Sequence, residues 1–340
     1  MAILDLTRLP RSTALALLAA SLLPGAAGAE TAIHFTLDRK IDGPAAPFFL
    51  AIDKGYFKAE GLDVTIDAAA GPAEPLARLA SGGYDLGVAD INQLIKFRDE
   101  NPATPIKALF IVFDKPPYAI IARKSRGIAA PKNLEGKKLG AASADGAFAQ
   151  WPIFAKVDGI DAAKVNIETV GLPVREPMLA AGEVDAITGY SFTSYVDLKA
   201  GGVPADDLVV LTMADYGVEL YGDAIVAAPK FLTEKPQTVR AFLRAYLKAL
   251  RDTVRDPARA VEAVLRRNDA AKKDVELERL RLAIRDNILT PAVKANGYGG
   301  IDPARFAAAI DQLALAYRFK AKDKAADAFD PSFLPPAAER

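Results

Sequence analysis

Between residues 32 and 228 short apolar runs alternate with stretches of helical spacing, and beyond residue 228 only the helical spacing continues. Leu62, Val64 and Ile66 alternate with Asp63, Thr65 and Asp67, the period of a half-buried strand. Runs at 32–37, 85–89, 118–122, 138–142, 165–170, 185–188, 208–211 and 221–228 have strand length, and the unbroken apolar run 107–113 predicts a buried central strand. Phe48, Phe49, Ile52 and Tyr56 recur at helical spacing and predict one helix over 47–57 that stops before Gly61. Shorter helices are expected at 76–79, ending at Gly82-Gly83, and at 91–97, closed by Asn101-Pro102. Val239, Phe242, Leu243, Tyr246, Leu247, Leu250 and Val254 form the stripe of a packed helix, and further helices are expected over 257–267, 272–288 and 303–318. Strands alternating with helices make the fold class α/β with mainly parallel sheets.

The alternation falls into two blocks that meet around residues 114–123 and 213–228. That division predicts a discontinuous first lobe, 30–117 with 223–340 and its C-terminal helices, and an inserted second lobe, 118–222. Two crossing strands between lobes make a hinge, and ligands favour the cleft that such a hinge closes. The polar stretch 123–136 reads as a crossing region, and the mixed charges from Lys272 to Arg285 as a solvated helix face. Residues 321–340, with Pro331, Pro335 and Pro336, read as an extended tail on the surface.

The amino terminus narrows the location. Arg8 and Arg11 precede an apolar stretch, 12–23, too short to anchor in a bilayer; Pro24-Gly25 then break it before Ala27-Gly28-Ala29. Residues 1–29 are therefore expected to be a signal peptide cleaved before Glu30, and the mature chain to be periplasmic. The 43 basic and 43 acidic residues cancel, so neither a nucleic-acid groove nor a polybasic membrane surface is indicated. The sequence holds no cysteine, which removes disulfides, thiolate metal sites, cysteine nucleophiles and a lipoprotein anchor. A freely diffusing monomer is expected.

Catalysis is poorly served. The single histidine, His34, lies inside the first predicted strand and reads as a structural residue, so no histidine-based triad or metal set can be assembled. No phosphate-binding or dinucleotide loop occurs, and no catalytic residue, metal or cofactor is assigned. Binding is better served, because several strands end in small polar loops that open helices, where free backbone N–H groups favour polar ligand atoms. The loop Ser143-Ala144-Asp145-Gly146-Ala147 is one, with Asp145 readable either as a ligand or as a helix N-cap. Asp90 to Asn92 is a second, and Gly189-Tyr190-Ser191 a third, offering a ring and hydroxyls. Arg39 and Arg175 stand at element ends, either as bidentate clamps for an anion or as partners of Asp38 and Glu176. Phe113, Tyr118, Tyr216 and Tyr221 lie near the crossings, as cleft lining or as core.

These residues also carry a family resemblance. The segment from Leu37 to Ile66, with Lys54-Gly55-Tyr56-Phe57 and then Glu60-Gly61-Leu62-Asp63-Val64, resembles the amino-terminal signature of periplasmic binding proteins for nitrate, sulfonates, taurine and thiamine-pyrimidine precursors. Asp85 to Ala89, Leu134 to Gly140 and Gly182 to Ala186 agree in kind and order. The resemblance implies a type II periplasmic-binding fold of two lobes on a two-strand hinge, closing on a small-molecule solute for an ABC permease and its ATPase. Carried over by position, it implies ligand contacts from Asp38 and its neighbours, Asp90 to Asn92, Ser143 to Ala147 and Gly189 to Ser191. Thiamine-precursor binders of this family have a tryptophan and a histidine where this chain has Arg39 and Ala45, which turns the expectation toward an anionic solute. The related pyrimidine synthases carry a cysteine-rich motif that a chain without cysteine lacks. A neutral pyrimidine or vitamin precursor, a secreted enzyme with a carboxylate pair, and a sensor remain as alternatives.

Overall fold

The alternation of strand and helix builds two sheets rather than one. The computed structural model describes residues 30–340, so the expected signal peptide lies outside the described residues. The strands are β1 (Thr31–Thr36), β2 (Leu62–Asp67), β3 (Leu86–Asp90), β4 (Lys107–Ile111), β5 (Tyr118–Arg123), β6 (Lys138–Ala141), β7 (Asn166–Thr169), β8 (Ala186–Tyr190), β9 (Leu208–Thr212) and β10 (Asp223–Ala227). One sheet has the order β2-β1-β3-β10-β4 and the other β7-β6-β8-β5-β9. In each, one strand runs against its neighbours: β10 is antiparallel to β3 and β4, and β5 to β8 and β9. These are the strands by which the chain enters each lobe after crossing. Their first residues therefore lie beside the last residues of a parallel strand, Asp223 opposite Asp90 and Tyr118 opposite Tyr190. Carboxyl ends of parallel strands are where α/β sheets bind ligands.

The helices are α1 (Ala46–Asp53), α2 (Tyr56–Ala59), α3 (Glu74–Ala80), α4 (Ile91–Glu100), α5 (Gly146–Ala149), α6 (Trp151–Val157), α7 (Arg175–Ala181), α8 (Ser191–Ala200), α9 (Pro229–Glu234), α10 (Pro236–Arg255), α11 (Pro257–Leu265), α12 (Lys273–Ala283), α13 (Pro291–Asn296) and α14 (Pro303–Leu313). The single helix expected over 47–57 is two, broken at Lys54-Gly55 where Gly55 is left-handed (φ 68°). α13 was not expected from the spacing; it is one short turn set off by Thr290, whose hydroxyl caps it, and Pro291. α12 runs into a π-helical turn, Ile284–Ile288, rather than continuing as α-helix.

Three larger expectations need correction. The run 107–113 is not a central strand: β4 is the outer strand of its sheet, and its residues are buried because Ala108 bridges to Phe329 and Ile111 to Gly299. The carboxy-terminal stretch is accordingly no surface tail, since Phe329 and Phe333 are buried against that edge and close it to further pairing. The stretch 123–136 does not cross between lobes but forms 3-10 turns within the second, held by Lys124 N–H donating to Asp207 O. The chain passes between the sheets instead at 112–117 and 213–222, neither of them a regular strand. The two passages still pair: Val112 and Phe113 N–H both donate to Asp223 O, and Gly222 N–H to Phe113 O. A side chain at Gly222 would stand 2.9 Å from Phe113 Cβ, so the close approach requires glycine.

Helix α10 presents its apolar stripe to the first sheet, where aromatic rings interlock. Phe242 stacks on Phe35 (5.3 Å between centroids) and Phe57 (4.8 Å), and Tyr246 stacks on Phe48 (4.5 Å). This cluster fixes the loop after β1, which carries the polar residues of the cleft. Phe242→Ala leaves a ring-sized hole beneath that loop and is expected to cost about 3–5 kcal/mol. Denaturant unfolding checks this, and a loss under about 1 kcal/mol contradicts a cluster packed as described.

Candidate functional site

At the strand ends two acids of the first sheet face two phenols of the second. Tyr118 is fully buried, and its hydroxyl donates to Asp90 Oδ2 and accepts from Asn92 Nδ2 at 2.8 Å. Asn92 spends its second amide hydrogen on Tyr221 O, at 2.7 Å. Asp90 also caps α4, its Oδ1 accepting from the N–H of Asn92 (2.8 Å) and Gln93 (3.0 Å). Across the cleft α5 begins at Gly146, where a Cβ would stand 3.3 Å from Tyr190 Oη and 3.6 Å from Asp90 Oδ2. The lobes are closed upon each other here.

Arg39 sits in the middle. Asp38 Oδ1 and Oδ2 accept from its Nε at 3.0 and 3.1 Å, and Oδ2 accepts from Nη2 at 2.6 Å; Nη2 also reaches Asp223 Oδ2. The guanidinium lies over the Tyr190 ring at 4.8 Å, with Phe113 at 5.7 Å and Phe192 at 6.0 Å. Burial works against its charge, but Asp38 and Asp223 outweigh that and hold its pKa up. Beside it remains a cavity of about 20 Å³ whose lining includes Asp42, Pro44, Phe48, Val88 and Phe113. Asp42, which sequence reasoning passed over with Asp223, is buried there with no hydrogen-bond partner on either oxygen. Burial pushes its pKa up to about 6, against the pull of Arg39 and Arg279. Burial likewise raises Asp90, and raises Asp223 well above the usual carboxylate range, aided by the charge of Asp38. Both phenols are held neutral, chiefly by burial.

A second polar group lies in the other lobe. Asp145 is the N-cap of α5, accepting from Ala147 N–H at 3.1 Å, and it also takes Arg175 Nη1 at 3.0 Å and Thr188 Oγ1 at 2.6 Å. Arg175 further binds Glu176 Oε1 at 2.6 Å, and Gly189 leaves the space that this cluster with Ser194 occupies. Both arginines thus spend their forks on carboxylates, so neither offers the free bidentate clamp an anion requires. Ser143 is exposed, Ser191 donates its N–H to Pro117 O, and Tyr216 packs edge-on against Phe154 (6.1 Å), away from the Arg39 group.

The charged stretch 272–285 is a solvated face at Lys272, Lys273, Asp274, Arg281 and Arg285, but not at two of its charges. Glu276 and Arg279 are buried: Arg279 donates to Glu276 Oε2 (3.1 Å), to Asp197 Oδ1 (2.8 Å) and to Thr193 O (3.2 Å), both of the latter on α8. Glu276 Oε2 also accepts Gly43 N–H at 2.7 Å, in the loop that carries Asp42. The helical period placed these charges correctly on α12, but the loop at Gly43 covers Glu276 and α8 covers Arg279. A wider groove of about 490 Å³ lies beside this contact, lined in part by Lys115, Ser191, Phe192, Tyr195 and Arg285. Among the described residues no helix is long and apolar enough to cross a membrane.

A family model described as NMT1/THI5 like matches residues 44–260, most of the chain, and the chain belongs to that family. It is 25% identical over 231 residues to the riboflavin-binding protein RibY of Chloroflexus aurantiacus, covering 65% of this chain and 62% of that one. It is 27% identical to the 4-amino-5-hydroxymethyl-2-methylpyrimidine phosphate synthase of Schizosaccharomyces pombe, over 62% of each. The chain thus spans a little under two thirds of the length of these two relatives. With the formylaminopyrimidine-binding protein of Halalkalibacterium halodurans it shares 27% identity over 78% of this chain and 79% of that one. The periplasmic aliphatic sulphonate binding protein SsuA of Escherichia coli superposes with a TM-score of 0.66 at 13% identity, over 84% of this chain and 91% of that one. The fold is therefore the two-lobed α/β fold of periplasmic binding proteins.

The buried acids give the fold a pH dependence. Asp42 titrates near 6 when folded and near its ordinary 3.8 when unfolded, so the folded state takes up the extra proton as pH falls through 6. Stability should rise from pH 7.5 to pH 5, by several degrees in Tm, and Asp42→Asn should flatten part of that rise. A Tm that falls steadily over this range, or an Asn variant with the full rise, contradicts the assignment.

Proposed function

We propose that this member of the family is the solute receptor of an ATP-driven importer, binding a small solute between its lobes and delivering it to a membrane permease. The observation that carries the reading is the convergence of Asp38, Asp90 and Asp223 from one sheet with Tyr118 and Tyr190 from the other, at the carboxyl ends of parallel strands on either side of two crossings. Such a cleft opens by hinge motion and encloses what it binds. The relatives named as binding proteins support the reading, and the export pattern of residues 8–29 supports a periplasmic location.

We further propose that the solute is released unchanged. A synthase role, suggested by the fungal relative, would have to proceed without any cysteine and with a single histidine that lies exposed on β1. Asp42, with both oxygens buried and unpartnered beside the Arg39 group, supports a solute that presents hydrogen-bond donors on a flat ring rather than a free acid group. Aromatic faces at Phe113, Tyr190 and Phe192 suit such a ring.

A thermal-shift and calorimetric panel of amino-substituted heterocycles, flavins, sulfonates and aromatic acids tests both statements. Ring compounds with donor groups should raise Tm by several degrees and be recovered intact by chromatography. Binding confined to sulfonates and acids would overturn the donor preference, and conversion of the bound compound would overturn the receptor role.

A further inference from the structure

We propose that Arg39 is a tethered occupant of the solute site: its guanidinium holds the place of the solute's planar donor edge, and the solute binds by displacing it. The proposal deepens the receptor reading above and rests on it.

The guanidinium makes the contacts that a bound solute would make. Its edge is held by Asp38 and Asp223 of the first lobe, and its face lies on Tyr190, with Phe192 nearby, both of the second. It therefore bridges the lobes through carboxylates on one side and aromatic faces on the other, as a planar cation from solution would. With Arg39 in place the remaining cavity, about 20 Å³, has room for roughly one water molecule and not for a solute. Closure around a solute therefore requires the side chain to leave.

The fit is also incomplete in the way a stand-in's would be. Arg39 Nη1 is buried without a partner, as are both oxygens of Asp42 and Oδ1 of Asp223. A permanent structural ion pair is stabilising only when its remaining donors and acceptors are satisfied. Here the two oxygens of Asp42 await donors that one guanidinium, tethered by its own chain, does not reach. A free planar group with several N–H donors, an amidinium or a protonated amino-heterocycle, can satisfy Asp38 and Asp223 and reach Asp42 as well. Arg39 thereby acts as a specificity residue. It lowers affinity for every ligand by the cost of its own displacement, and admits those whose donors outdo it.

Benzamidinium is the probe, with Arg39→Ala and the shorter, uncharged Arg39→Gln as variants. Either variant should bind benzamidinium about tenfold or more tighter than the wild type by calorimetry. In small-angle scattering the unliganded variants should be more open than the wild type, and millimolar benzamidinium should close them. Tyr190→Ala, which removes the ring beneath the guanidinium, should be open as well but not be closed by the probe. The proposal is overturned if folded Arg39 variants bind benzamidinium no better than the wild type, or if they remain as compact as the wild type without it. Either result, obtained while the wild type still binds a solute from the panel, leaves the receptor reading standing; a wild type that binds no solute at all sinks the receptor reading itself.

Discussion

Four aspartates, Asp38, Asp42, Asp90 and Asp223, are each no more than 4% exposed at the mouth of the first sheet, with one arginine among them. Desolvating a carboxylate is costly unless a counter-ion or donors replace the lost water, so this arrangement constrains everything around it. The replacements come from far along the chain. Asp223 meets Arg39 across 184 positions of sequence, because β10 returns antiparallel between β3 and β4 and starts beside the end of β3. Tyr118 reaches Asp90 because β5 enters its own sheet in the same antiparallel manner. The topology and the charge arrangement are thus one fact: had either entering strand run parallel, its first residue would stand at the far end of the sheet.

Closure adds a second set of contacts at the outer side of the cleft. Arg279 on α12 is buried against Asp197 and Thr193 of α8, and Lys199 pairs with Glu278 nearby. The lysine pair is exposed enough to contribute little, whereas Arg279, already paired with Glu276 on its own helix, gains Asp197 and Thr193 as acceptors from α8. Arg39 does the same with aromatic faces. Polar contacts of this kind exchange hydration for protein partners, so each adds only a modest net free energy to closure. Closure is then open to control by a ligand with modest differential affinity. A cleft sealed by apolar side chains would not be.

Much of this was legible in the sequence, and what was not has a common cause. Strand and helix positions follow from hydrophobic period, and the loops at 90–92, 143–147 and 189–191 stand out as polar residues between strand and helix, while Arg39 stands out as a charge at a strand end. Of the two readings of Asp145 the structure shows the N-cap, and it adds an ion pair with Arg175 that the sequence did not suggest. The errors concern partners across the fold. Residues 107–113 are as apolar as a central strand because the carboxy-terminal segment, more than two hundred positions on, covers their outer edge (|i−j| = 220 for Lys107 and Asp327). Glu276 and Arg279 look solvated until the Gly43 loop and α8 arrive. Asp42 and Asp223 drew no notice, since a lone aspartate in a loop carries no local signal of what it will face.

Arg39 shows the same limit in its sharpest form. An arginine at a ligand position suggests an anion only if its charge is unspent, and charge is a property of a neighbourhood rather than of a residue. Asp38, next in sequence, offered one neutralising partner at the outset, and the fold adds Asp223 and places Asp42 and Asp90 close by. The charge of Arg39 is thereby spent on Asp38 and Asp223 rather than left free in the cleft. Arg175 follows the same course, bound by Asp145 and Glu176 in the other lobe. The preference of such a cleft is therefore decided by which segments the two entering strands bring together.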